Sequence, residues 1–441
     1  MPDKQEPLFF RSPYDLFIER AEGAYLYARG GRKILDGGGG AVVVHIGQGR
    51  EEMARVAAEV VGRINYIVPV FDSAERSALV ARLKRWTPPG LTRFYFTSGG
   101  SEAIESALKF ALLCQKSRGR AGRTKIISRQ FSYHGNTLGA LSAGHNLRRK
   151  DYEPVLLDWP KIRPSFCYRC PWDKTYPGCD LDCASALEAE ILKQGPDTIA
   201  AFLAEPMMGS SGGAVVPVKE YWPRIAEICR RYDVLLIADE VMTGFGRTGR
   251  RFAVDHWNIK PDILVGGKGL TGGYLPMGMI AVDAHLVDQC ERAGADFMFF
   301  TYSNHPLACA LADKALEIME RERLVERAAE VGARMGARLK EELSGHPLVG
   351  DVRGIGMFWA IELVRDRSAK TPYRPDQRVT MRVIDAAVER GLFVYPARGM
   401  AGPAGGDAVM VTPPFIIGDD EIDFITQTLR AAFDQVIPSL Q

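Results

Sequence analysis

The sequence has almost no excess charge of either sign, and this excludes several kinds of partner. Its 441 residues include 56 Lys and Arg against 54 Asp and Glu, a formal net charge of +2, so no basic field is available to attract nucleic acid. The chain also lacks an apolar run long enough to cross a membrane, and its polar residues 1–6 lack the hydrophobic core of a signal peptide. We therefore expect a cytoplasmic protein with neither a nucleic-acid nor a membrane partner.

Cysteine is sparse for so long a chain, which argues against a secreted disulfide framework. Four of the eight cysteines are nevertheless close in sequence, at Cys167, Cys170, Cys179 and Cys183. Their spacing resembles that of a zinc knuckle, although no histidine joins them. A chain of this size can bury a large core without cross-links, so these cysteines are not required for folding. A structural metal and disulfides both remain as alternatives for them. We expect no metal at a functional site.

Short apolar runs alternate with helical patterns over the first two thirds of the chain. The runs span residues 93–97, 124–128, 199–203, 234–238 and 263–265. They are apolar on both faces, which predicts an α/β fold with a mostly parallel sheet between layers of helices.

The remaining part of the chain has a different pattern. An amphipathic pattern over residues 306–342 predicts one long helix. Further elements are predicted for a smaller α+β unit, with strands near 357–362, 393–395 and 409–411 and helices at 376–390 and 419–436.

One lysine follows the last of the buried runs directly. Lys268 comes after Gly266 and Gly267, where the missing side chains let another molecule approach the backbone. The carboxyl end of a strand is where open α/β sheets bind ligands. A lysine amine that loses solvation there has a lowered pKa and can form a Schiff base with an aldehyde.

Three other loops follow predicted strands. The segment 98–101 precedes a helix, with Ser101 as the predicted N-cap, and would bind an anion such as phosphate. Tyr133 and His134 offer a flat face for stacking, and Asp239 is a half-buried acid that needs a cationic partner. A pyridoxal phosphate site requires a loop that binds the phosphate, an aromatic side chain that stacks on the ring, an acid and an amine.

Two other phosphate-binding motifs fail in their context. Residues 244–249 match the G-x-G-x-x-G pattern, but they do not lie between a strand and a crossover helix as a dinucleotide site requires. A P-loop would need Ser or Thr where Gly269 stands.

Together these segments resemble the class III (omega) aminotransferases, which are fold type I enzymes dependent on pyridoxal phosphate. The likeness extends over nearly the whole chain and is strongest in residues 96–105, 133–135, 239–249 and 268–278. It implies a large cofactor-binding domain over residues 61–315. It also implies a small α+β domain formed by residues 316–441 with the N-terminal segment 1–60.

The resemblance also implies roles for single residues around pyridoxal 5′-phosphate. Lys268 would form the Schiff base and move the proton, and Asp239 would keep the ring nitrogen protonated. Tyr133, in its motif with His134, would stack on one face of the ring and Val241 would pack on the other.

Further implied residues hold the phosphate or meet the substrate. Gly100 and Ser101 would hold the phosphate together with Thr301 of the neighbouring subunit, which implies a homodimer with active sites at the interface; a tetramer stays open. Glu205 matches a glutamate beside cofactor and substrate that in some members pairs with a substrate-binding arginine. Arg398, in a glycine-rich loop, is the candidate for a mobile arginine that binds the substrate carboxylate.

The predicted function is transfer of an amino group from an amine or ω-amino acid to a keto acid, either pyruvate or 2-oxoglutarate. A racemase, an aminomutase or a decarboxylase on the same scaffold would use the same residues and stays open. A binding protein that has lost its chemistry is disfavoured because Lys268 and Asp239 are both present. Met242 stands where ornithine- and GABA-type members often carry Gln, and Val42 lies where amine:pyruvate members place Trp, which suggests a roomier pocket.

Overall fold

The computed structural model describes residues 13–14, 16–297 and 299–440. Fifteen strands form in this part of the chain: β1 (Ile18–Glu22), β2 (Tyr25–Ala28), β3 (Lys33–Asp36), β4 (Leu91–Thr97), β5 (Lys125–Arg129), β6 (Lys161–Ile162), β7 (Ile199–Ala204), β8 (Leu235–Asp239), β9 (Ile263–Gly266), β10 (Gly278–Asp283), β11 (Val349–Ile355), β12 (Phe358–Leu363), β13 (Leu392–Phe393), β14 (Tyr395–Arg398) and β15 (Asp407–Val411). The polar segment 1–6, which the sequence analysis weighed as a possible signal peptide, lies outside the described residues.

Helices connect and cover these strands. In chain order they are α1 (Gly39–Val42), α2 (Glu51–Arg63), α3 (Ala74–Trp86), α4 (Gly100–Ser117), α5 (Leu138–Ala143), α6 (Asp182–Gln194), α7 (Tyr221–Tyr232), α8 (Ala284–Arg292), α9 (Pro306–Arg321), α10 (Leu324–Leu343), α11 (Val379–Glu389) and α12 (Asp419–Val436). Of the helices in the described residues, none is long and apolar enough to cross a membrane.

The largest sheet has seven strands in the order β4-β10-β9-β8-β7-β5-β6. The run from β9 to β6 is parallel, whereas β10 is antiparallel to both of its neighbours. Alternate side chains of each central strand enter two different apolar cores: in β8, Leu235 and Ile237 pack with α4, and Leu236 and Ala238 pack on the other face. The predicted α/β class is therefore confirmed, and the carboxyl ends of β7, β8 and β9 lie side by side.

Two smaller four-stranded sheets flank this unit. One has the order β1-β2-β3-β13, and its last strand comes from the C-terminal part of the chain and runs parallel to β3. The other has the order β11-β12-β15-β14 and is antiparallel throughout. The first and last parts of the chain therefore share a sheet.

Two expectations about helices were wrong. The predicted helix over residues 306–342 is two helices, α9 and α10, because Arg323 adopts a left-handed conformation with φ of 51° and ends the helical path. Ser101 is not an N-cap: helix α4 already begins at Gly100, so the cap position falls on Gly99.

Candidate active site

A cavity of about 160 Å³ opens at the carboxyl ends of β7, β8 and β9, beside the start of α4. Most of the site residues predicted from the sequence meet there. The lining residues are Gly100, Ser101, Tyr133, His134, Gly135, Glu205, Met207, Asp239, Val241, Met242 and Lys268. Segments far apart in the chain therefore converge because each one follows a strand of the same sheet or begins a helix beside it.

Lys268 begins a short 3-10 turn, Lys268–Thr271, just after β9. Its backbone lies in the left-handed region with φ of 45°, a conformation that few non-glycine residues adopt. The side chain keeps a minor part of its surface exposed, but its amine is desolvated, which lowers the pKa of Lys268 to about 8. The charges of Asp239 and Glu205 oppose this shift. The amine is thus more easily made neutral than an ordinary lysine.

Asp239 ends β8 and is held by two neighbours. His134 donates from Nδ1 to Asp239 Oδ2 over 2.7 Å, and the backbone N–H of Val241 donates to Oδ1 over 3.1 Å. Asp239 is only 4% exposed, so it remains a fixed acceptor inside the cavity. His134 Nε2 is also buried and has no hydrogen-bond partner among the described residues.

The start of α4 forms one wall of the cavity. The backbone N–H groups of the first turn carry the positive end of an 18-residue helix. Gly100 packs so closely on Val241 that a Cβ at this position would lie 2.9 Å from Val241 Cγ1. Ser101 Oγ accepts a hydrogen bond from the backbone N–H of Asn136 over 3.0 Å, which joins this turn to the segment carrying Tyr133. The wall therefore offers donors to an anion and little side-chain bulk.

Tyr133 has a charged neighbour that the sequence analysis missed. The guanidinium of Arg148 lies 4.9 Å from the centre of the Tyr133 ring. Arg148 belongs to a polar 3-10 segment, Leu147–Val155, that carries no motif. The position of Arg148 beside Tyr133 depends on the path of this irregular segment. The spacing of residues in the sequence therefore did not indicate it.

Glu205 follows β7 and is buried in the cavity wall. Its Oε1 accepts a hydrogen bond from the backbone N–H of Gly209 over 2.9 Å, whereas Oε2 has no partner among the described residues. Burial raises the pKa of Glu205; the charge of His134 lowers it and that of Asp239 raises it further.

Two predicted residues do not line the cavity. Thr301 is exposed, and its backbone oxygen accepts a hydrogen bond from the Tyr66 hydroxyl over 3.0 Å. Arg398 is exposed at the end of β14, and its backbone N–H donates to the Ser210 backbone oxygen over 3.1 Å. Their assigned roles, one across a subunit interface and one through a moving loop, stay predictions.

The grouped cysteines surround a second, much smaller cavity. Cys167, Cys170, Cys179 and Cys183 all line it, and all eight cysteines of the chain are free thiols. Within the described ranges, no three His, Cys, Asp or Glu side chains are arranged to hold a metal ion.

The larger cavity fits pyridoxal phosphate in the chemistry of its lining residues. Asp239 faces the cavity as an acid for a ring nitrogen, Lys268 is a desolvated amine for an aldehyde, and Gly100 leaves open a helix start for a phosphate. His134 Nε2 and Glu205 Oε2 are buried polar atoms still without partners in the described structure, as expected beside a polar ligand.

Comparison with known proteins agrees with this chemistry. Residues 10–433 match the family model of class-III aminotransferases. The putrescine–pyruvate aminotransferase of Pseudomonas aeruginosa is 33% identical over 425 residues, covering 95% of this chain and 90% of that protein. The diaminobutyrate–2-oxoglutarate transaminase of Halomonas elongata is 34% identical over 435 residues, covering 96% of this chain and 91% of that protein. The crystal structure of an amine transaminase from an uncultivated Pseudomonas species, in its pyridoxal-phosphate-bound form, superposes with a TM-score of 0.90 at 34% identity and covers 98% of both chains.

Proposed function

The chain belongs to the class III aminotransferases, and from this premise we propose how its own residues carry out the reaction. The protein is a pyridoxal-phosphate-dependent transaminase that transfers an amino group between an amine and a keto acid. The observation that carries the residue assignment is the convergence of a desolvated lysine and a buried, hydrogen-bonded aspartate in one cavity.

Lys268 is the proposed catalytic base. When bound, pyridoxal phosphate supplies an aldehyde that a lysine amine can capture and a ring that withdraws electrons from the substrate. Lys268 Nζ would then remove the proton from the substrate carbon that bears the amino group and deliver it to the cofactor's aldehyde carbon, C4′. A pKa of about 8 suits both steps, because the amine is readily deprotonated yet still accepts a proton near neutral pH.

Asp239 is proposed to keep a proton on the cofactor's ring nitrogen. A carboxylate beside that nitrogen favours its protonated form by charge attraction. The bonds from His134 and from the Val241 backbone hold the carboxylate in one orientation, so little reorganisation is needed during the reaction.

The remaining lining residues are proposed to position the cofactor. Gly100 and Ser101 hold the phosphate at the start of α4, where N–H donors and the helix dipole favour an anion. Tyr133 and Val241, which both line the cavity, would cover the two faces of the ring. These contacts fix the ring relative to Lys268.

A homodimer is proposed to complete the site, with Thr301 reaching the phosphate of the neighbouring subunit. Tyr302, next to Thr301 in the chain, is 61% exposed, and Val70 and Phe71, a few residues after Tyr66, are 69% and 63% exposed in one chain. Tyr66 links these segments, because it bonds to the Thr301 backbone and its ring lies 6.1 Å from that of Tyr302. An exposed apolar patch of this kind supports an interface between subunits.

The proposed donor is an amine or ω-amino acid and the proposed acceptor is pyruvate or 2-oxoglutarate. The names of the two relatives support such pairs, since one acts with putrescine and pyruvate and the other with diaminobutyrate and 2-oxoglutarate. The test is a panel of amine donors with each keto acid, measuring formation of alanine or glutamate and using Lys268→Ala as the inactive control. Turnover without a keto acid, with a racemised, rearranged or decarboxylated product, would instead identify one of the other reactions on this scaffold.

A further inference from the structure

Tyr133 lines the reaction cavity, but no hydrogen bond fixes its side chain. It belongs to the irregular segment between β5 and α5, and both of its chain neighbours are held there. Ser132 Oγ donates to the Arg129 backbone oxygen over 2.7 Å, and His134 Nδ1 donates to Asp239. The Tyr133 hydroxyl forms no hydrogen bond within the described residues. The orientation of this ring therefore depends on what packs against it.

The guanidinium of Arg148 is the polar group that reaches this ring. Its central carbon lies 4.9 Å from the centre of the Tyr133 ring, which is within the range of a cation–π contact. Arg148 is exposed and is not among the residues that line the cavity. In the part of the chain that the structure describes, no acid forms an ion pair with it. Its contact with the cavity is therefore made through Tyr133.

Two contacts from the C-terminal part of the chain place Arg148 beside the ring. Its neighbour Leu147 packs on the loop that follows β14, because a Cβ on Gly399 would lie 3.2 Å from Leu147 Cγ. Tyr395, on β14 itself, lies close to Arg148. Burial raises the pKa of Tyr395, and the charge of Arg148 and a hydrogen bond from it oppose this shift. The guanidinium is therefore held between the Tyr133 ring and β14.

We propose that Arg148 is a positioning residue that holds the Tyr133 ring against the cofactor. This inference rests on the proposed function, in which Tyr133 covers one face of the cofactor ring. A planar, weakly hydrated guanidinium is attracted to the electron-rich face of an aromatic ring and stacks on it. It thus restrains a ring that no hydrogen bond prevents from rotating. Arg148 itself contacts neither the substrate nor the reacting atoms in this role.

The first test measures how fast the cofactor leaves the protein after cofactor-loaded enzyme is diluted. Arg148→Met keeps a long side chain and removes its charge. We expect this variant to release the cofactor about twofold to tenfold faster, the range for a cation–π contact at a partly exposed site. Arg148→Lys keeps a cation and should stay within about twofold of wild type. Lys150→Met is the matched control, because Lys150 is an exposed cation on the same segment with no ion pair or ring contact among the described residues.

Kinetics separate this role from the binding of a substrate. The cover on the cofactor ring serves both half-reactions, so Arg148→Met should lower kcat for the amine donor and for the keto acid by the same factor. Each half-reaction is followed by absorbance after cofactor-loaded protein is mixed with one substrate. A loss confined to the keto acid would show that Arg148 binds a carboxylate, and it would overturn the inference.

Coupling to Tyr133 gives a readout that a merely structural role would not move. The visible circular dichroism of the bound cofactor reports how its ring is held, and both Tyr133→Leu and Arg148→Met should reduce it. In the Tyr133→Leu background, Arg148→Met should have no further effect on dichroism or on cofactor release. Burial lowers the pKa of Lys268, and the charge of Arg148 adds to this shift. An effect exerted through Lys268 alone would survive the loss of the Tyr133 ring.

The outcomes distinguish the inference from the function on which it rests. Unchanged release and dichroism in Arg148→Met, when Tyr133→Leu alters both, would overturn the inference. Additive effects of the two substitutions would do the same. Arg148→Gln is a second uncharged variant and gives the same comparison if Arg148→Met does not fold. Unaltered release and dichroism in Tyr133→Leu would instead refute the stacking role of Tyr133 in the proposed function.

Discussion

At the scale of single residues, the proposal for Asp239 is that its fixed carboxylate keeps the cofactor's ring nitrogen protonated. Asp239→Asn keeps the size of the side chain and removes its charge. We expect kcat to fall by about tenfold to a thousandfold, since a neighbouring opposite charge shifts a pKa by about one to three units. Steady-state rates with a good donor, together with circular dichroism to show that the fold is kept, provide the measurement. Near-normal turnover in this variant would remove Asp239 from the mechanism.

Arg398 remains the proposed carboxylate-binding residue, although its side chain is exposed and away from the cavity in one chain. Its loop contains Gly399, Gly402 and Gly405 with positive φ, which permits movement. We expect Arg398→Ala to lower kcat/KM for pyruvate by about tenfold to a hundredfold, because an arginine–carboxylate contact contributes roughly 1.5–3 kcal/mol. The half-reaction with a carboxylate-free amine should change little.

Arg148→Ala is the matched comparison for Arg398, because Arg148 already lies over the Tyr133 ring. If its removal causes the loss with pyruvate and Arg398→Ala does not, then Arg148 binds the carboxylate and our assignment is wrong.

The sequence identified lining residues where a polar or glycine residue directly follows a buried strand. Lys268 and Asp239 are examples, since a strand end fixes their place to within a residue or two. Arg148 could not be found in this way, because its position depends on the path of an irregular segment.

At the scale of elements, the turn that carries Lys268 packs closely against His45, in the N-terminal part of the chain. His45 is fully buried and hydrogen-bonds to the Phe245 oxygen over 3.0 Å, and a Cβ on Gly269 would overlap its ring. Gly269→Ala should therefore destabilise the protein by about 1–3 kcal/mol, as overpacking does, and displace Lys268.

Chemical denaturation compared with wild type tests the effect of Gly269→Ala. Gly62→Ala in helix α2 is the control, because nothing lies within 4 Å of the added Cβ and alanine favours a helix. Equal stability of Gly269→Ala and wild type would show that this packing does not hold the turn.

The spacing of apolar residues predicted the buried strands and most helices. It did not predict the residues at which the helices begin and end. The amphipathic pattern runs across Glu322 and Arg323, so it could not reveal the left-handed residue that separates α9 from α10. Strands β10 and β11 were not predicted, although both lie in sheets. Strand β10 pairs with β4, a partner distant in the chain that a local pattern does not contain, whereas β11 forms a hairpin with β12 across the turn at Gly356 and Met357.

At the scale of the whole molecule, the account requires two subunits for each complete site. Mixing Lys268→Ala subunits with Thr301→Ala subunits should place both lesions at one site of a heterodimer and leave the other intact. We expect activity to recover toward that of one wild-type site, measured after the two variants are unfolded together and refolded. No recovery, or a fully active monomer in sedimentation, would contradict the proposed dimer.

The division into residues 1–60, 61–315 and 316–441 stays a prediction at this scale. The sheet that joins β3 to β13 does connect the two ends of the chain, as the proposed small domain requires. Limited proteolysis of the protein would locate its boundaries.

The central claim is that Lys268 holds the cofactor, and chemical trapping tests it most directly. Borohydride reduction makes the bond between a lysine amine and the cofactor's aldehyde carbon permanent, and mass spectrometry of the digested protein then locates the labelled residue. We predict loss of visible absorbance and one labelled peptide, modified at Lys268, with no label in Lys268→Ala. A label on another lysine, or none on protein that holds the cofactor, would contradict the account.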